Sequence, residues 1–165
     1  MAPPALILLV ATASGCSDGC SRQFRAVDEA YVHAANRQVN LNLFDAFVHH
    51  DHDRARKHLA EGADLNFQLR GRGDVTILMI VSSVGALDSV KFLLDNGADP
   101  NIQADDGRTA LMRAAVNGKL DVVTMLIDHG ADSNFENEDG HTALFMARRK
   151  GHTAVVTLLE ESLAR

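Results

Sequence analysis

The chain has 165 residues, 46% apolar and only 5% aromatic, enough for one domain of ordinary size. Sixteen Lys and Arg against 22 Asp and Glu leave a formal charge of −6, which argues against the broad basic surface that nucleic acid requires. No run of roughly 18 apolar residues occurs, so no conventional membrane-spanning helix is expected.

Residues 1–15 read as a signal peptide rather than as part of a fold. They carry no charged side chain, and the apolar run from Ala5 to Ala13 has the length of a signal-peptide core. The run leads into Ala13, Ser14, Gly15 and Cys16, and small residues before a cysteine resemble the bacterial lipoprotein processing site. On that reading Cys16 is lipidated and becomes the mature N-terminus, and residues 16–20 form a tether. The protein then sits in the cell envelope, at the outer membrane or in the periplasm, touching the membrane only through its lipid. Ser17 after the cysteine lacks the aspartate associated with inner-membrane retention. No Lys or Arg precedes the apolar run, and Ala13 stands where Leu is usual. Secretory cleavage near Ala13 and an uncleaved, cytoplasmic N-terminus are therefore the alternatives. Cys20 is a lone thiol if Cys16 carries lipid, and a possible bridge to Cys16 if it does not.

Residues 21–40 read as a capping helix. Phe24, Val27, Tyr31 and Ala34 are spaced by three or four and make one apolar stripe. A lid over the end of a repeat array is the expectation, and a partner-binding helix the alternative.

From about residue 41 to 165 the chain repeats itself. Gly130, Ala131, Asp132 and Asn134 lie 33 positions after Gly97, Ala98, Asp99 and Asn101, as Thr142-Ala143-Leu144 lies after Thr109-Ala110-Leu111. A fixed period with matched glycines marks a solenoid, here with repeats at about 42–66, 67–101, 102–134 and 135–165. Within one unit, Ala110, Leu111, Ala114 and Ala115 suit a short, closely packed helix. Gly118 stops it, Leu120, Val123, Leu126 and Ile127 face a second helix inward, and Gly130 ends that one. Asp132 to Asp139 is turn-prone and should project as a hairpin-like finger.

The first repeat is degenerate. It holds His49, His50, His52 and His58, with His52 and His58 in the places of Leu87 and Leu93. The histidines and Asp51 and Asp53 are metal-competent types, but their spacing matches no closed site, so a solvated end repeat is expected and no metal is assigned. The next finger carries two extra residues, with Arg70 and Arg72 among glycines, read either as a basic tip for an acidic partner group or as loop drift. In the last repeat, Arg148 and Glu160 put charges where Ala115 and Ile127 stand, as expected of a polar cap, and the final helix should run nearly to Arg165.

The GADxN turns, the DGxTAL entries at Asp106 to Leu111 and Asp139 to Leu144, and the VxxLL stretch at Val90 to Leu94 resemble the ankyrin repeat over about residues 42–161. That resemblance implies an all-α solenoid of about four helix-turn-helix repeats with hairpin-like fingers and an N-terminal capping helix. The family's T-P-L-H reads TILM, TALM and TALF here, so Met79, Met112 and Phe145 should replace the histidine's polar bonds by packing. It also implies that partners meet the finger tips and the exposed side of the first helices. Those positions are Ser83, Arg113, Val116, Asn117, Arg149 and Lys150 on the helices, with Gln103, Asp105, Arg108, Glu136, Glu138 and His141 on the fingers.

Catalytic motifs are missing. There is no glycine-rich phosphate loop, HExxH or GxSxG, and both cysteines precede the repeats. The expectation is a monomeric, non-enzymatic module without cofactor that binds another protein, anchored in or exported to the bacterial envelope. An inhibitor or immunity protein for an envelope enzyme, a cytosolic scaffold and a histidine-based metal or pH sensor are the alternatives.

Overall fold

The computed structural model describes residues 35–71 and 73–164. Contacts divide the chain into Met1–Gln38 and Val39–Arg165; of the first, residues 35–38 are described, and they are helical and exposed. The signal-peptide and tether readings with Cys16, the stripe from Phe24 to Ala34, and Arg72 lie outside the described residues.

The described residues form eight helices. Helix α1 is described over 35–48, and is followed by α2 (His52–Ala60), α3 (Ile77–Val84), α4 (Leu87–Asp95), α5 (Ala110–Val116), α6 (Leu120–Asp128), α7 (Ala143–Lys150) and α8 (Thr153–Leu163). They alternate between two rows. In the inner row α5 packs on both α3 and α7; in the outer row α6 packs on both α4 and α8. The sequence reading ended a capping helix at residue 40 and opened a repeat near 42, whereas α1 runs unbroken through both positions. Asn40, Leu43, Ala46 and Phe47 explain this, because they are all buried at helical spacing and form one continuous face.

The inner helices of the three later repeats start alike. Thr76, Thr109 and Thr142 have extended backbone, and their hydroxyls accept the N–H of Met79, Met112 and Phe145 at 3.3, 3.4 and 3.3 Å. Each such cap stabilises its helix by about 1 kcal/mol. Met79 and Met112 are buried, as packing in place of a histidine requires. Two details depart from that expectation. A polar contact survives at Met79, whose sulfur accepts the Thr76 N–H at 3.5 Å. Phe145 does not pack inward: it is 45% exposed and lies flat on His141, ring centroids 4.1 Å apart.

The core repeats with the sequence. Leu93, Leu126 and Leu159 occupy equivalent places in the outer row and are fully buried, each contributing roughly 1.5–3 kcal/mol. Leu120, expected on the buried face of α6, opens that helix and is 38% exposed; Val122, one turn before Leu126, takes the inward place. At the end of the array Arg148 and Glu160 pair with each other across α7 and α8. Helix α8 stops at Leu163.

The fingers are bonded to one another, which fixes their angle to the helices. In each GADxN turn the aspartate carboxylate accepts the N–H two residues on, from Asp64 to Asn66, Asp99 to Asn101 and Asp132 to Asn134. The asparagine carbonyl then reaches the following repeat: Asn66 accepts the Asp99 N–H at 2.9 Å and Asn101 the Asp132 N–H at 2.8 Å. Asn40 does the same from α1 to Asp64, at 2.7 Å. Finger ends close by backbone bonds at Leu69–Val75, Ala104–Arg108 and Asn137–His141, so the extra residues of the first finger lie between Leu69 and Val75.

Candidate partner-binding surface

The period of 33 sets what the inner helices present. Equivalent positions read Ile80, Arg113 and Met146; Ser83, Val116 and Arg149; and Val84, Asn117 and Lys150. The face therefore grades from apolar at α3 to cationic at α7.

A cleft of about 270 Å³ lies where α5, α7 and the last two fingers meet, lined by Arg108, Val116, Asp139, His141, Met146, Arg149 and Lys150. Five of these are partner-binding candidates from the sequence. Asp139 and Met146 are not: Asp139 reads in the sequence only as the start of the DGxTAL entry and Met146 is not singled out there, and the fold brings both to the cleft. Arg149 and Lys150 are exposed and have no anionic partner among the described residues. His141 is held at the rim by its stack on Phe145 and by its backbone N–H, which donates to the Asn137 side chain at 2.8 Å.

Several other candidates are engaged within the fold. Arg113 donates to both oxygens of Asp106 at 3.4 Å, and Arg108 lies 3.5 Å from the same carboxylate. Ser83 bonds the Ile80 carbonyl of its own helix, and Asn117 donates to the Arg113 carbonyl. Gln103 donates from its amide to Gly107 and to Glu136 in the next finger, at 2.8 and 3.0 Å. Arg70, Asp105, Glu136 and Glu138 are exposed on the fingers with charged ends unpaired among the described residues.

A second groove, about 220 Å³, runs between α1 and α3 and is lined by Phe44, Phe47, Val48, His50, Ile77, Ile80, Val81, Val84 and Ala86. Val48 and Val84 are 57% and 66% exposed at its mouth. The sequence reading does not single out this groove, because it takes the first repeat as a degenerate, solvated end and assigns its apolar residues no surface role.

The histidines of the first repeat do separate things. His52 stacks on Phe92 with centroids 5.2 Å apart and hydrogen-bonds Ser89 at 3.2 Å, so it is a packing residue rather than the solvated one expected. His58 pairs with Glu61 at 2.8 Å, and His49 donates to the Asp45 carbonyl at 2.9 Å. Among the described residues, no three His, Cys, Asp or Glu side chains stand together as a metal site would need. No described helix is long and apolar enough to cross a membrane.

A family model described as ankyrin repeats in three copies matches residues 32–137 and again 78–164. The chain is also similar to the ankyrin repeat and KH domain-containing protein mask-1 of Caenorhabditis elegans, 39% identical over 57 residues. That match covers 34% of this chain and 2% of the relative, so the likeness is local. With paired helices, interlocked GADxN turns and a family match over most of its length, the chain belongs to the ankyrin-repeat family.

Proposed function

We propose that this chain is a non-enzymatic module that holds another protein on its inner-helix face, exported to the bacterial cell envelope and anchored there by lipid on Cys16. Ankyrin repeats indicate a protein–protein interaction module. The observation that carries the location of binding is the cleft between α5 and α7, where Arg149 and Lys150 are unpaired among the described residues of a chain of net charge −6. Helices and fingers already bonded into one array lose little freedom on binding, which favours presentation of a rigid surface. Support for the envelope comes from the sequence alone: the apolar run from Ala5 to Ala13 and the small residues before Cys16.

Both parts are open to test with the full chain expressed in a bacterial host. Affinity capture with the wild type and with Arg149→Glu/Lys150→Glu, quantified by mass spectrometry, should give a partner that the variant loses. A partner retained equally by both moves the binding surface elsewhere. For the anchor, intact mass of membrane and soluble fractions should reveal a membrane-bound species beginning at Cys16 with added acyl mass. A full-length, unmodified, soluble species overturns the envelope assignment and makes the cytoplasm the place to seek the partner.

A further inference from the structure

We infer that the inner-helix face reads one extended partner segment at two places, taking a bulky apolar side chain in the α1–α3 groove and a carboxylate in the α5–α7 cleft. This rests on the protein-binding function proposed above and names the chemistry of the partner. The two sites share a register: Ile80 and Val84 line the first, and their equivalents Met146 and Lys150 line the second. A segment crossing the inner row therefore meets both in turn.

Charge decides which end is which. The lining of the first groove holds no Asp, Glu, Lys or Arg. The second has three cations against Asp139, and Asp106 lies beside Arg108. A single carboxylate suits the two cations there that are unpaired among the described residues, whereas a more highly charged group would meet the two aspartates as well. The dipole of α7 gives cations in its last turn a structural use. It does not account for Val48 and Val84, which leave apolar surface in water beside a groove.

The spacing follows from the fold. Packed helices lie about 8–10 Å apart, so sites two helix steps apart are separated by roughly 16–20 Å. An extended chain advances about 3.3–3.6 Å per residue. The apolar and acidic residues of the partner segment should therefore stand about five or six positions apart.

Selection of a phage-displayed library of random 12-residue peptides on the full chain tests this. Enriched peptides should pair a bulky apolar residue with Asp or Glu at that spacing. For a synthetic copy of the best peptide, Arg149→Gln/Lys150→Gln should weaken binding about tenfold, equivalent to about 1.4 kcal/mol, and flatten its salt dependence. Val84→Asp should weaken it by a similar factor, with the salt dependence kept; Val84→Ser replaces it if the aspartate lowers the melting temperature. Failure to enrich peptides overturns the inference, as does an enriched peptide that neither variant affects. A peptide lost only on finger substitutions such as Arg70→Ala sinks the two-site map but leaves protein binding standing. A concentration-dependent dimer that Val84→Asp abolishes assigns the apolar groove to a second copy of the chain, and likewise overturns it.

Discussion

Gln68 and Gln103 are joined by a hydrogen bond from the side chain of one to the backbone of the other: the Gln68 amide donates to the Gln103 carbonyl at 2.9 Å. The same amide donates to Asp74 in its own finger at 3.0 Å. Gln103 repeats the arrangement on Gly107 and Glu136. The third position is Glu136, whose carboxylate has no N–H to donate, so the ladder ends there. Each glutamine closes its own finger and ties it to the next, and the fingers are held as a set.

Replacing Gln103 with Ala removes both bonds and should cost about 1 kcal/mol, since each exposed bond contributes a modest net amount. The effect should be local. Amide exchange should speed at Asp105 and Glu138, whose N–H groups make the backbone bonds to Gly73 and Asp106 that join neighbouring fingers. Unchanged exchange at both would mean the ladder does not hold the fingers.

Gly118 and Gly97 separate two costs of adding a side chain. Both have left-handed backbone, φ +66 and +90, which costs an L residue roughly 1–2 kcal/mol. A Cβ on Gly97 meets nothing within 4 Å, but one on Gly118 comes within 2.6 Å of the His152 ring. That ring is fixed by its Nε2–H, which donates to the Val116 carbonyl at 2.9 Å. Gly118→Ala should therefore lower the melting temperature clearly more than Gly97→Ala. Equal losses would show that His152 moves freely.

Ser82 is fully buried in α3, and its hydroxyl has no partner among the described residues. Ala115 occupies the equivalent place one repeat later and is equally buried. Ser82→Ala removes an unsatisfied polar atom and should raise stability by about 1 kcal/mol in chemical denaturation. A loss of stability would reveal a partner for the hydroxyl.

Asp95 gives a pH dependence with a definite sign. Its carboxyl is held below the ordinary value of 3.8, chiefly by the Lys91 hydrogen bond at 2.8 Å; the Lys91 charge and His129 act in the same direction. A depressed folded pKa means the carboxylate stabilises the fold above the unfolded value, and that contribution is lost as pH falls through the folded one. The melting-temperature gap between wild type and Asp95→Asn should be present near neutrality and close as pH drops below 3.8. The exposure of the pair makes the gap small. A gap that widens in acid contradicts the assignment.

The fold was legible where the sequence repeats. The GADxN turns and the Thr caps appear three times each, and one instance reads the others. The candidate surface was legible only as positions. Period and family resemblance put Gln103, Arg113 and Arg149 alike on the exposed side, but not which of them the fold would use up. Gln103 goes to the finger ladder and Arg113 to Asp106, while Arg149 stays unpaired among the described residues. These outcomes depend on side chains from neighbouring repeats meeting in space, which spacing along one chain does not encode. The α1–α3 groove was hidden for a related reason: it forms where side chains of α1 and α3 meet in space, which the first repeat's GADxN turn alone does not reveal.

The central claim is that partners meet the inner row. Site-specific photocrosslinking in the host tests it most directly, with a benzophenone side chain at Asn117, exposed beside the cleft, or at Thr124, exposed on the outer helix α6. The expected result is a discrete crosslinked protein from position 117 and none from 124. A product from 124 with none from 117 would put the partner on the outer row and contradict the account.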